Sequence, residues 1–281
     1  MIAPVVAPEA VAGLDHTHLV LADVRWYLDG RDGKAAYENS HIAGAVWVDL
    51  DNALAGHGLP AAEGRHPFPT PEAFAAEMGA LGIGDDTVVV AYDDTGGLTA
   101  GRLVVMLRML GRNAAVLNGG LNAWVAAGLP TETGPATPPA AKEFNSTPWP
   151  AKRLATADEA LATAAAGGVV IDARPLARFT GEQAFIDPRP GHIPGARSAP
   201  WSAVLDDTGR LLTTDELKAH YAALGLTDAN EPSVAYCGSG VSACMNIVAM
   251  EHAGLTPPRL YVASWSGWSA DPDRPAELGQ P

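Results

Sequence analysis

Cysteine is nearly absent. Of 281 residues, only Cys237 and Cys244 carry a thiol. No disulfide framework holds such a chain together, so a reducing, cytoplasmic setting is expected. Basic residues are also scarce. Lys and Arg total 18 against 32 Asp and Glu, a net charge of −14, with no cluster of Lys or Arg to interrupt it. A surface this acidic repels phosphate backbones and anionic headgroups, which sets aside nucleic acid and membrane surfaces as partners. No unbroken apolar stretch of about 18 residues occurs, so no spanning helix is expected. The opening segment MIAPVVAPEAVAGLDH has no basic flank and is broken by Pro4 and Pro8. It reads as a lead-in and not as a signal peptide.

What is present is enough apolar side chain for a core, with 47 % hydrophobic and 18 % charged residues, a balance that excludes intrinsic disorder. The chain also repeats itself. LVLADVRWYLDG at 19–30 resembles VVIDARPLARFTG at 169–181. Ser40-His41-Ile42-Ala43-Gly44-Ala45 matches Gly191-His192-Ile193-Pro194-Gly195-Ala196. Thr87–Tyr92 matches Ser233–Tyr236, and the stretch 117–124 matches 260–268. The order is the same in both halves, so the chain is two copies of one domain of roughly 120–130 residues. The copies are expected at 1–130 and 151–281. Between them, 131–150 is rich in Pro and Thr without periodicity, a stiffened linker.

Within each copy, apolar runs such as VVVAY (88–92) and SVAYC (233–237) lack alternation, as strands covered on both faces do. Helices are expected at 71–81, 99–110, 157–166, 214–224 and 242–253. Thr70 and Pro71 open the first; Thr213 or Thr214, followed by Glu216, opens the fourth. Strand–helix alternation gives an α/β fold, a parallel sheet with helices on both faces. Ligands in such sheets gather at the carboxyl ends of the strands.

At one of those ends stands Cys237, followed by Gly238-Ser239-Gly240-Val241-Ser242 and then a helix. The glycines permit tight turns that point successive N–H groups at one spot, and the helix N-terminus adds its positive end. Both favour thiolate over thiol. In the first copy the same place holds Asp93, in a loop one residue longer, so sulfur chemistry belongs to the second copy alone. A cysteine phosphatase would need an arginine where Ala243 stands. A zinc site would need closer cysteines or nearby histidines. Cys244, about one helical turn on, reads as structural. Arg174 and its counterpart Arg25 read as partners of the nearby aspartates. His41 and His192, present in both copies, read as structural as well.

The D-x-R and R-F segments, the Gly-His-Ile-Pro-Gly-Ala motif, the Cys-Gly-Ser-Gly-Val-Ser loop and the closing Ser-Trp-Ser-Gly-Trp resemble the tandem-domain sulfurtransferases of the rhodanese family, over roughly residues 15–272. The neutral loop Gly238-Ser239 is more similar to the 3-mercaptopyruvate sulfurtransferases than to thiosulfate-using rhodaneses, which carry basic residues after the cysteine. The resemblance implies two rhodanese-like domains and a ping-pong reaction. Cys237 takes sulfur from a small-molecule donor as a persulfide and releases pyruvate, and a thiol acceptor such as thioredoxin, or cyanide, removes it. It implies that Gly238, Gly240, Val241 and Ser242 cradle the anion and that Arg178 and Arg189 grip the donor carboxylate. It further implies a proton relay of Ser239 with His66 and Asp51 from the first copy. No metal or organic cofactor is implied. Alternatives are a thiosulfate sulfurtransferase and a non-catalytic or sulfur-carrier module. One departure stands out: the family's Tyr-Asp-Gly-Ser-Trp reads Tyr261-Val262-Ala263-Ser264-Trp265 here.

Overall fold

Two parallel sheets organise the computed structural model, which describes residues 1–14, 16–135, 139–184, 186–227 and 232–280. Part of the expected linker, 136–138, lies outside them. The first sheet orders its strands Val5–Val6, Ala114–Leu117, Val88–Tyr92, Leu19–Asp23, Val46–Trp47. The second runs Arg259–Leu260, Ser233–Tyr236, Val169–Asp172, Arg197–Ser198. Every pairing in both is parallel. The central registers correspond, Leu21 facing Val90 and Ile171 facing Ala235.

The expected helices form at Pro71–Ala80, Ala100–Met109, Ala157–Ala165, Thr214–Ala223 and Ala243–His252. Their starts follow the capping chemistry. The Thr70 hydroxyl accepts from Ala73 N with Pro71 in the first turn. Thr213, not Thr214, is the N-cap of the fourth, in a capping box with Glu216. A cap of this kind stabilises by about 1 kcal/mol.

Each core is built on the same repeated devices. In one unit, Val11, Leu21, Ile42, Val90, Tyr92 and Trp124 pack together; in the other, Val170, Phe179, Ile193, Val234, Tyr236, Trp265 and Trp268 do. The Tyr92 hydroxyl accepts from Ile42 N, and the Tyr236 hydroxyl from Ile193 N. His41 hydrogen-bonds the Tyr37 carbonyl through Nδ1 and stacks on the Tyr37 ring; His192 does the same with Phe179. Asp23 pairs with Arg25 and Asp172 with Arg174, each at 2.6 Å and fully buried. Arg25 also donates to the Ser40 carbonyl and Arg174 to that of Gly191. Buried charges persist when paired and hydrogen-bonded in this way. These histidines and arginines are structural, as the sequence suggests.

The units are not contiguous in sequence. Met1–Ala55, Pro69–Trp149 and Leu205–Leu211 form one; Gly56–Phe68, Pro150–Val204 and Leu212–Pro281 form the other. Sequence order puts 56–68 in the first copy, but this strap packs with the second unit. Backbone contact explains it. A Cβ on Gly64 would lie 2.9 Å from the Ala263 Cα, and one on Gly267 2.5 Å from the Ala62 carbonyl. Only glycines allow so close an approach.

Candidate active site

Cys237 sits one residue past the strand Ser233–Tyr236 and is 2 % exposed. Its backbone is held on both sides. The Cys237 N–H donates to Ser264 Oγ, and Trp265 N donates to the Cys237 carbonyl. Gly240 adopts a φ of 75°, which a glycine supplies without strain. The loop then enters the helix Ala243–His252. Among the described residues, the N–H groups of Gly238, Ser239, Val241 and Ser242 donate to no protein acceptor. Next to a helix N-terminus, such donors make an anion-binding nest. The Cys244 thiol faces away from that chemistry and donates to the Gly240 carbonyl at 3.3 Å.

The other unit holds the same loop already filled. Leu121 N donates to the Asp93 carbonyl as Trp265 N does to Cys237, which makes Asp93 and Cys237 structurally equivalent. The Asp93 carboxylate accepts from Thr95 N and Gly97 N on one oxygen, and from Thr99 N, Thr99 Oγ1 and Ala100 N on the other. In this copy the loop holds the carboxylate that projects from the position equivalent to Cys237.

Four side chains stand at the loop after Cys237: Ser239, His66, Arg178 and Arg65. His66 Nδ1 and Ser239 Oγ share a hydrogen bond at 2.8 Å, both nearly buried. A Cβ on Gly238 would lie 2.9 Å from Arg178 Nη2 and 3.2 Å from Arg65 Nη2. Two guanidinium groups therefore stand over the residue after the cysteine. Both hold Asp187, Arg65 Nη1 to Oδ1 at 2.5 Å and Arg178 Nη2 to Oδ2 at 2.5 Å. Burial alone pushes the Asp187 carboxyl up, but the hydrogen bonds from Arg65 and Arg178 outweigh it and hold the group below the usual carboxylate range. The strap delivers Arg65 and His66 together, pinned where Arg65 N donates to Ser266 Oγ.

The structure brings Arg178 over the loop after Cys237 and does not bring Arg189 there. The Arg189 guanidinium donates to the carbonyls of Trp268, Ser269, Asp271, Pro272 and Arg274. It caps the end of the helix Ser264–Ala270 and has no donor left for a substrate. The second cation over the loop is Arg65, which sequence reasoning missed. Its signal was its place beside His66 in Gly64-Arg65-His66-Pro67. Asp51 lies on the helix Leu50–Ala53 of the other unit, its Oδ2 accepting from Trp26 Nε1 at 2.9 Å.

At 263, where the family motif has glycine, the backbone accommodates alanine. Ala263 has ordinary helical dihedrals, φ −62° and ψ −25°. No glycine is required there; the left-handed residue is Ser264, at φ 53°, the counterpart of Gly120 at φ 55° in the other copy.

Comparison with known proteins agrees with this layout. The family model for the rhodanese-like domain matches twice, over residues 6–127 and 156–271. A Pseudomonas aeruginosa protein named as a probable 3-mercaptopyruvate sulfurtransferase is 38 % identical over 276 residues, covering 97 % of each chain. A Mycobacterium tuberculosis protein bearing a thiosulfate sulfurtransferase name is 39 % identical over 264 residues, 92 % of this chain and 90 % of its own. The crystal structure of SseA from Escherichia coli, described for the rhodanese fold of 3-mercaptopyruvate enzymes, superposes with a TM-score of 0.82 at 32 % identity, over 94 % of this chain and 99 % of that one. The chain belongs to the rhodanese family as a tandem-domain sulfurtransferase.

Proposed function

We propose that the protein transfers sulfur from 3-mercaptopyruvate to a thiol through a persulfide on Cys237. The Cys237 thiolate attacks the donor sulfur. The carbon–sulfur bond breaks with its electron pair moving to carbon, and the resulting enolate takes up the proton that the thiol sulfur gives up, leaving pyruvate and Cys237–S–S⁻. The hydrogen-bonded pair Ser239–His66 is placed to move that proton. Arg178 and Arg65 receive the donor carboxylate, each with N–H groups beyond those given to Asp187. A thiolate acceptor, of the thioredoxin type, then attacks the outer sulfur and restores the Cys237 thiolate.

The observation that carries the reading is the pairing of an open nest behind Cys237 with an equivalent nest filled by Asp93. A carboxylate oxygen stands two bonds beyond Cβ, as the outer sulfur of a cysteine persulfide does. The N–H groups after Cys237 are therefore placed to hold a persulfide anion. Asp51 remains a candidate third relay member, which Asp51→Asn measures through kcat. Two free cysteines suit a reducing, cytoplasmic location.

A second reading, thiosulfate as donor, is favoured by the two arginines and by the name of the mycobacterial relative. Steady-state release of pyruvate from 3-mercaptopyruvate, beside release of sulfite from thiosulfate, decides between them. The proposal expects a higher kcat/KM for 3-mercaptopyruvate. The reverse order makes the protein a thiosulfate sulfurtransferase, and activity with neither donor ends both readings.

A further inference from the structure

The arginine pair over Gly238 is not free to act at full charge. Asp187 is buried, its side chain 3 % exposed, and each carboxylate oxygen takes one guanidinium. Arg174 Nη1 approaches the same carboxylate at 3.9 Å but is itself neutralised by Asp172. The local sum is therefore two cations less one anion. The arginines keep their outward N–H groups, since the Arg65 side chain is 30 % exposed and that of Arg178 11 %. The position after Cys237 adds no charge, because Gly238 lies against both guanidinium groups, where any side chain would displace them.

Resting on the proposed sulfurtransferase reading, we infer that Asp187 sets donor specificity by cancelling one of the two charges that face the donor. With Asp187 ionised, the pair presents a net charge of one and suits a donor with a single carboxylate and a protonated thiol. A dianion such as thiosulfate meets the same two guanidinium groups with a buried carboxylate behind them and the Cys237 thiolate below. Asp187 is thus a specificity residue acting through the arginines, with no part in bond breaking.

The test compares kcat/KM for 3-mercaptopyruvate and for thiosulfate in wild type, Asp187→Asn and Asp187→Glu, at low and high salt. Asp187→Asn removes the charge and keeps one of the two acceptor oxygens, its amide NH2 facing the other guanidinium. The ratio of thiosulfate to 3-mercaptopyruvate is expected to rise about tenfold. That magnitude lies between what Coulomb's law gives for one extra unit charge at roughly 6 Å in bulk water and at an effective dielectric of about 20. The gain is expected in KM and to shrink as salt rises, while Asp187→Glu restores the wild-type ratio. Equal losses for both donors, with the ratio unmoved, would overturn the inference and leave Asp187 a purely structural clamp. Wild type inert toward both donors would sink the sulfurtransferase reading itself. Should Asp187→Asn not fold, inhibition of wild type answers the same question. Pyruvate, a monoanion, is expected to inhibit more tightly than sulfate, and tighter inhibition by sulfate contradicts the inference.

Discussion

Three arginines here carry the same side chain to different ends, and the partners of each guanidinium decide which. Arg189 gives its donors to five carbonyls; Arg189→Ala should therefore lower stability, by on the order of 2–3 kcal/mol in chemical denaturation, with KM for the donor unchanged in the protein that remains folded. Arg178→Ala and Arg65→Ala should instead raise donor KM, roughly 10- to 100-fold, the loss of one charge-assisted hydrogen bond to carboxylate. Asp187 carries a pH signature. Its carboxyl is depressed in the fold, so its stabilising contribution is complete above the ordinary unfolded value of about 3.9 and is lost as pH falls toward the lower folded value. Acid titrations of wild type and Asp187→Asn should differ in that window, wild type losing stability more steeply. The legibility of these residues in the sequence was uneven. Cys237, Ser239 and Arg178 could be read because they sit in local motifs. Arg189 was singled out and Arg65 was missed, since what separates them is which carbonyls or carboxylates lie within reach once the chain has folded.

At the scale of the element, two glycine contacts bring the strap Gly56–Phe68 against the helix Ser264–Ala270. Gly64 has a φ of 83°, with the Ala263 backbone in the space a side chain would need. Gly64→Ala should displace Arg65 and His66 together, so that kcat falls and KM rises in one variant, with a loss of stability of about 1–3 kcal/mol. A change in kcat alone would show that the strap holds its position by other contacts. Helices and strands were legible in outline, because capping threonines and unbroken apolar runs are local signals. The strap was not. It has no period, and its allegiance to the second unit is written in residues some 200 positions away, such as Ser266 under Arg65 N.

For the whole molecule, one duplicated fold carries two chemistries. The repeat was readable, since its motifs keep their order, and so was the loss of the thiol at Asp93. What the sequence did not reveal is that Asp93 fills the nest it inherited. Asp93→Ala should leave four N–H groups, three of them buried, without their acceptor and destabilise its unit by on the order of 3 kcal/mol. A thermal unfolding curve unchanged by Asp93→Ala would mean those donors find water instead.

A persulfide on Cys237 is open to detection in a single turnover. Wild type and Cys237→Ser are mixed with a stoichiometric amount of 3-mercaptopyruvate without an acceptor, and intact mass and released pyruvate are read together. One pyruvate and one added sulfur atom per wild-type chain are expected, the sulfur mapping to Cys237 and vanishing on addition of a thiol, with neither product from Cys237→Ser. Pyruvate released without added sulfur, or sulfur retained by Cys237→Ser, would contradict it.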